Sequence, residues 1–322
     1  MKGREYGTLA SFQEAIQKIT AADEILLPEL GFWEKYFLQV SKWRFLRKFI
    51  RKRKIVHNTE KIDVLWYILM GPENYRLDLF KGYENVAVKI IYFFDTLPHQ
   101  IYLIKKLKIH SLFNYQITSF NDAVVYLNKI TNSNWYFVQQ ASSIEYMYDK
   151  DLISKEIAFS SFGRSDSKLN NVIQKFCDKN NLIFYRTHEL GGKILTNNKE
   201  LYKSYCWALS NSVFNVSLSV ETTNKERAAF LSPITCRWYE SILAKNIVIG
   251  KKPKNPFFNH LFPDNFVQEI DINASDDILE DQISILWKNR QILFKNIYNS
   301  KNINFIDYDW CSRVVEILNI VD

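Results

Sequence analysis

Leu231-Ser-Pro-Ile-Thr-Cys-Arg-Trp-Tyr-Glu-Ser-Ile-Leu-Ala-Lys-Asn-Ile-Val-Ile-Gly250 reads as a loop, a helix and a short strand in succession. The helix spans Cys236–Leu243. Ile247-Val-Ile249 is an uninterrupted apolar run stopped by a glycine, the pattern of a parallel strand buried on both faces.

The same alternation extends outward in both directions. In the second half, strands are predicted at Ile157–Ser160, Leu182–Tyr185 and Val213–Leu218. Helices are predicted at Leu169–Cys177, around Leu201–Leu209, near Ile278–Ile297 and at Tyr308–Ile320. In the first half, Asp63-Val-Leu-Trp-Tyr-Ile-Leu-Met70 is a buried-strand run closed by Gly71-Pro72, with further strands at Ala87–Phe94, Tyr115–Thr118 and Trp135–Val138. Helices at Tyr75–Tyr83, Pro98–Lys108 and Asn121–Ile130 separate them. Upstream, Ser11 and Glu14 have capping-box spacing at the head of an amphipathic stretch. Glu24–Pro28 reads as a short strand, and 32–53 as a long helix.

Strands alternating with helices imply crossover units and a parallel, doubly wound sheet. The expected fold is therefore α/β, with two Rossmann-like lobes meeting near residue 150 and facing a cleft. The first lobe opens on a loop and helix where such a lobe normally begins with a strand. Either its first strand is lacking or the sequence starts late.

Hydrophobic residues make up 47% of the 322, enough for two buried cores, while 9 glycines and 7 prolines argue against disorder or collagen-like repeats. The four cysteines, Cys177, Cys206, Cys236 and Cys311, are far apart and form neither a zinc pattern nor a disulfide framework. A reduced, cytoplasmic chain is expected. No apolar run approaches the roughly 18 residues of a membrane span, and the N-terminus lacks a signal-peptide core. Net charge is +7. Lys42–Lys54 alone holds eight basic residues and no acid, so the remainder is close to neutral.

The Leu231–Gly250 segment resembles the donor-site motif of bacterial glycosyltransferases with the GT-B fold, particularly the group 1 sugar transferases of surface-polysaccharide and lipopolysaccharide pathways. The resemblance implies that Glu240 binds the ribose hydroxyls of a nucleotide sugar, since a carboxylate accepts two hydrogen bonds from a vicinal diol. It places Ser232, Thr235 and Arg237 at the donor diphosphate, with the amides at the helix N-terminus. Many retaining members carry a second glutamate eight residues before Glu240; here that position is Ser232, so the sugar and stereochemistry stay open.

Three further stretches are similar to that family. Ser160-Ser-Phe-Gly-Arg164 puts Arg164 where a phosphate clamp is expected, and Arg186-Thr-His-Glu189 adds Thr187 and His188 on the donor side. Phe93-Phe-Asp-Thr-Leu-Pro-His-Gln100 resembles the loop that brings acidic or histidine groups to sugar and acceptor. Asp95 and His99 are the catalytic candidates; Asp95 serves equally well as a general base or as the cap of the Pro98 helix. The implied divisions are 1–150, an acceptor-side lobe; 151–306, a nucleotide-sugar lobe; and 307–322, a helix packing back toward the first lobe.

The implied function is transfer of a sugar from a nucleoside diphosphate to a glycan or lipid-linked acceptor. No metal or other cofactor is expected, because no suitably placed DxD motif occurs. A nucleotide-sugar epimerase and a non-catalytic nucleotide-sugar-binding remnant are the alternatives. On the basic helix, Trp43 lies with apolar neighbours along one flank, while Arg44, Arg47, Lys48, Arg51 and Lys52 belong to its cationic side. That pattern suits peripheral contact with an anionic membrane surface. No nucleic-acid reader motif accompanies it.

Overall fold

The structure, a computed structural model, describes residues 7–23, 62–72, 83, 85–186, 198–299 and 303–322. It divides into two compact units: Thr20–Val138 form most of the first, while Tyr6–Ile19 and Gln139–Ile320 form most of the second.

The first unit is a four-stranded parallel sheet in the order β1-β2-β3-β4: Val64–Leu69, Val88–Phe93, Tyr115–Thr118 and Trp135–Phe137. β2 lies inside the sheet, and its unbroken apolar run is explained by burial on both faces: Ile90, Ile91, Tyr92 and Phe93 are all buried. The Tyr92 hydroxyl, which would be costly to leave unpaired, donates to Val138 O at 3.0 Å. Helix α2 (Pro98–Leu107) begins with proline, whose missing N–H is no loss at a first-turn position. Leu97 is its N-cap, and the Gln100 side chain accepts from the Leu97 amide at 2.8 Å. Leu97, rather than Asp95, therefore stands at the N-cap position. Helix α3 (Asn121–Thr131) separates β3 from β4.

The second unit holds a five-stranded parallel sheet in the order β6-β5-β7-β8-β9. These strands are β5 Ile157–Ser161, β6 Phe184–Arg186, β7 Ser212–Leu218, β8 Ile247–Lys251 and β9 Val267–Glu269. β5, β7 and the first four residues of β8 are buried throughout, and the polar Asn215 within β7 is satisfied by donating to Ser217 Oγ at 3.2 Å and Ser241 Oγ at 2.8 Å. The Phe159 and Phe214 rings stack at 5.1 Å, with Trp287 against both. The surrounding helices include α4 (Ser167–Lys179), α5 (Asn198–Ser210), α8 (Cys236–Leu243), α10 (Asp276–Lys288), α11 (Arg290–Tyr298) and α12 (Trp310–Val321). Three single-turn helices intervene: α6 (Val220–Thr223), α7 (Lys225–Ala228) and α9 (Phe258–Leu261). Both sheets are parallel with alternating helices, as expected of the α/β class.

Several details differ from the sequence reading, among them the short helices α6, α7 and α9 and the shift of β6 to Phe184–Arg186. The single helix expected near 278–297 is two, joined at Asn289. β9 was not anticipated. The Ser11–Glu14 capping box does not form, because helix α1 (Gly7–Thr20) already begins before Ser11. Ser11 Oγ instead donates to Thr8 O, and the Glu14 carboxylate accepts from Tyr146 OH. Packing fixes α1 in the second unit, where Phe12 stacks on Trp310 at 4.4 Å. The strand expected at Glu24–Pro28, the helix at 32–53 and nearly all of the helix at 75–83 lie outside the described residues.

At the opposite end of this sheet from the candidate site, Lys155 is 9% exposed and donates to Ser210 O at 2.6 Å and Ala244 O at 2.8 Å. It therefore satisfies a terminal carbonyl of α5 and one just past α8. Burial pushes its ammonium down to about 7, helped by Lys150 and Lys245 and opposed by Asp149. In the unfolded chain the same group titrates near 10.5, so the folded state binds fewer protons between these values. Stability from this group is complete above pH 10.5 and declines as pH falls to about 7. Urea titrations between pH 7.5 and 9.5 are expected to show stability rising by up to about 1.4 kcal/mol per pH unit. Lys155→Met is expected to flatten that rise; an unchanged slope would place its origin elsewhere.

Candidate functional site

Strand order locates the natural binding position in the second unit. β5 has β6 on one side and β7 on the other, so the chain reverses its direction of sheet growth between β5 and β7. The loops leaving such strands diverge and open a crevice at their C-terminal ends.

The loop after β5 supplies Gly163 and Arg164. Gly163 has φ +72°, and a Cβ there would lie 3.0–3.2 Å from the Arg237 guanidinium. Arg237, in the first turn of α8, donates from Nη1 to Phe162 O and Arg164 O, both at 3.3 Å. It thereby holds the β5 loop against α8. Arg164 Nη2 donates in turn to Thr235 Oγ1 at 3.3 Å. Thr235 is the N-cap residue of α8, yet its hydroxyl makes no capping bond to the helix. Two guanidinium groups and a hydroxyl thus converge beside the positive end of a helix, an arrangement suited to a phosphate-bearing ligand.

The first α8 amide has a partner: Cys236 N donates to Gln140 Oε1 at 2.5 Å. A phosphate at that amide would displace the Gln140 carboxamide. Burial pushes the Cys236 thiol up to about 12, reinforced by Glu240, so it is not a thiolate nucleophile at neutral pH.

Glu240 lies one turn further along α8 and is 3% exposed. It is therefore not an ordinary solvated carboxylate. Its Oε2 accepts from Tyr205 OH at 2.6 Å. Burial raises its pKa above the usual carboxylate value; Tyr205, Arg237 and Tyr202 act in the opposite direction. Tyr202 and Tyr205 share one face of α5 and stack at 5.9 Å, and Tyr202 OH is 3.1 Å from Ser142 Oγ. The carboxyl is thus held in a fixed rotamer by aromatic hydroxyls. A diol could bind by engaging Oε1 or by exchanging with Tyr205.

Ser232 belongs to a neighbouring cluster. Its hydroxyl donates to Glu221 Oε1, which also accepts from Lys254 N at 3.0 Å, while Asn255 Nδ2 donates to Ser232 O at 3.1 Å. Glu221, just beyond β7, thus braces the loop before α8.

Of the sequence-selected donor residues, the structure joins Arg164, Thr235, Arg237 and Glu240, and ties Ser232 to Glu221. Thr187 and His188 lie outside the described residues, as do Trp43, Arg44, Arg47, Lys48, Arg51 and Lys52. Asp95 belongs to the first unit, half-buried at the end of β2, and His99 is exposed on the first turn of α2. Sequence reasoning missed Gln140, Tyr202 and Tyr205. The tyrosines had a usable signal, because their i, i+3 spacing puts both on one helix face; Gln140 had none. Among the described residues, no helix is long and apolar enough to cross a membrane.

No known protein family matches the sequence, and no curated protein matches it. Among solved structures, the chain is similar to the crystal structure of TarM, with 14% identity over 86% of this chain and 58% of that one, TM-score 0.49. It is also similar to the glycosylation associate protein (Gap123) complex from Streptococcus agalactiae, with 12% identity over 89% of this chain and 61% of that one, TM-score 0.47. A third likeness is to accessory secretory protein 1,2 and 3 in Streptococcus pneumoniae, with 9% identity over 86% and 58%, TM-score 0.42. The chain spans about three fifths of the length of these solved chains. Strand order and alternation, rather than these likenesses, carry the fold class.

Proposed function

We propose that this chain binds a nucleoside diphosphate sugar at the β5–β7 crevice and transfers the sugar to a glycan or lipid-linked acceptor. The observation that carries this reading is the convergence of Arg164, Arg237 and Thr235 at the head of α8, one turn before the buried Glu240. The guanidinium groups would hold the diphosphate and offset the charge that grows on it as the glycosidic bond breaks. Glu240 would take the ribose hydroxyls. Donor activation would need no metal, and Asp95 or His99 would assist the acceptor hydroxyl.

A second reading, donor binding without turnover, is favoured by two contacts: Gln140 occupies the first α8 amide and Tyr205 occupies one Glu240 oxygen. Thermal shift against a panel of nucleotide sugars, paired with an assay for released nucleoside diphosphate, separates the two. Under the transferase reading a nucleotide sugar raises the wild-type melting temperature and is consumed when an acceptor is present. Glu240→Gln, which keeps an acceptor oxygen for Tyr205, is expected to fold normally and lose at least about tenfold in donor affinity. Donor binding unchanged in that variant would remove Glu240 from the site. Binding without nucleotide release across an acceptor panel would favour the second reading.

The basic segment Lys42–Lys54 would seat the protein on anionic lipid. Co-sedimentation with phosphatidylserine-containing vesicles is expected to fall severalfold when Arg47, Lys48, Arg51 and Lys52 become glutamate. Equal sedimentation would contradict a membrane role for that segment.

A further inference from the structure

Helices α10 and α11 form a nearly continuous rod. Asn289 N donates to Ile285 O and Leu293 N to Asn289 O, both at 3.0 Å, so i→i−4 bonds reach Asn289 from either side, while Asn289 itself, at φ −92° and ψ 5°, interrupts the ladder between the two helices. Leu279, Ile283 and Ile297 bury one face of the rod in the second unit. The opposite face carries Ile278, Ile285 and Ile292, which are 51%, 57% and 62% exposed. A seven-residue spacing returns each to nearly the same angle, making an apolar line about 21 Å long.

The charges beside this line are ordered. Asp276 and Glu280 point toward α4, where they pair with Lys175 at 3.8 Å and Lys179 at 3.1 Å. Asp277, Asp281, Lys288 and Lys295 lie instead along one flank of the isoleucines, at about 100° per residue. All four are exposed, and none makes an ion pair with another described residue. From the N-terminal end, the flank therefore reads acid, acid, base, base around Ile285.

We propose that this face joins two copies of the chain in a two-fold dimer, with the rods antiparallel and Ile285 at the axis. A two-fold operation reverses the rod, so Ile278 meets Ile292 of the second copy while Ile285 meets its own counterpart. The same flank of each rod then faces its mate. Asp281 comes opposite Lys288, and Asp277 opposite Lys295, each pair occurring twice. The charge order is its own complement only in this reversed register. A partner of uniform charge would be attracted by one half of the flank and repelled by the other. Isologous pairing buries three isoleucines per copy and satisfies all four outer charges together.

Sedimentation equilibrium on the full chain, from about 1 to 100 µM, tests this at concentrations where interfaces of modest size associate. The wild type is expected to be a reversible dimer, and Ile285→Asp a monomer with an unchanged melting temperature, since Ile285 supports no intramolecular core. The charge order allows a stricter test. Asp277→Lys with Asp281→Lys makes the flank wholly basic, whereas Lys288→Asp with Lys295→Asp makes it wholly acidic. Each variant alone is expected to dissociate at least about tenfold more readily than wild type. An equimolar mixture is expected to form a heterodimer, because every pair across the axis is again of opposite sign. A monomeric wild type at 100 µM would overturn the proposal, as would a wild-type mass retained by Ile285→Asp. Absence of the heterodimer in the mixture would overturn the antiparallel register.

Discussion

Combined replacement of Arg164 and Arg237 by alanine is expected to weaken binding of a nucleoside diphosphate sugar by at least about a hundredfold. Each guanidinium can make charge-assisted bonds to phosphate oxygens worth about 1.5–3 kcal/mol, and two such losses amount to two or more decades in affinity. Arg237 contributes in a second way, because its bonds to Phe162 O and Arg164 O hold the β5 loop in place. The two single variants should therefore be non-additive, with Arg237→Ala costing part of what Arg164 provides. Titration calorimetry on all three variants checks this. Full additivity would show that Arg237 does not position the loop, and unchanged donor affinity in the double variant would remove the diphosphate from this crevice.

Gly250→Ala is expected to be the most damaging single substitution in the Leu231–Gly250 segment. Gly250 has φ +147°, and a Cβ on it would lie 2.0 Å from Ser217 O on the adjacent strand β7. The obstruction is backbone, so no side-chain rotation relieves it. The strained dihedral and the displaced strand together cost about 3–5 kcal/mol, which corresponds to a fall in melting temperature of about 10 °C. The same contact explains why the apolar run of β8 stops at a glycine: β7 and β8 approach too closely there for a side chain. A variant melting within a degree or two of wild type would contradict that approach.

The sequence revealed the parts of this fold in which burial alone dictates residue type. β2, β5, β7 and β8 are inner strands, and each carries a short apolar core that can be read directly: Ile90–Phe93, Ile157–Phe159, Val213-Phe214 and Ile247–Ile249. β9 is a three-residue edge strand of mixed exposure, and its sequence Val267-Gln-Glu269 carries no comparable signal. The break at Asn289 was hidden because the apolar spacing continues through it, from Leu279 and Ile283 to Ile297. At α1 a local pattern pointed to the wrong start: S-x-x-E spacing marks a helix N-terminus, but docking Phe12 on Trp310 fixed the helix in a different register.

The candidate site shows the same division. Arg164, Thr235, Arg237 and Glu240 could be found because they follow strands or sit in the helix after a loop, where α/β proteins bind ligands. Gln140 reaches the Cys236 amide across 96 residues of sequence, and Tyr205 reaches Glu240 across 35. Contacts of that range are set by packing, and the i, i+3 spacing of Tyr202 and Tyr205 is the one trace they left in the sequence. Burial of Glu240 was hidden for the same reason, although it separates a held carboxyl from a solvated surface charge.

Nucleotide-sugar binding at the β5–β7 crevice of the second unit underlies every role proposed for Arg164, Arg237 and Glu240. Titration calorimetry of the full wild-type chain against a panel of nucleoside diphosphate sugars tests it most directly. Saturable one-to-one binding of at least one member, competed by the matching free nucleoside diphosphate, is the expected result. No detectable heat with any member at millimolar ligand would mean that this crevice is not a nucleotide-sugar site.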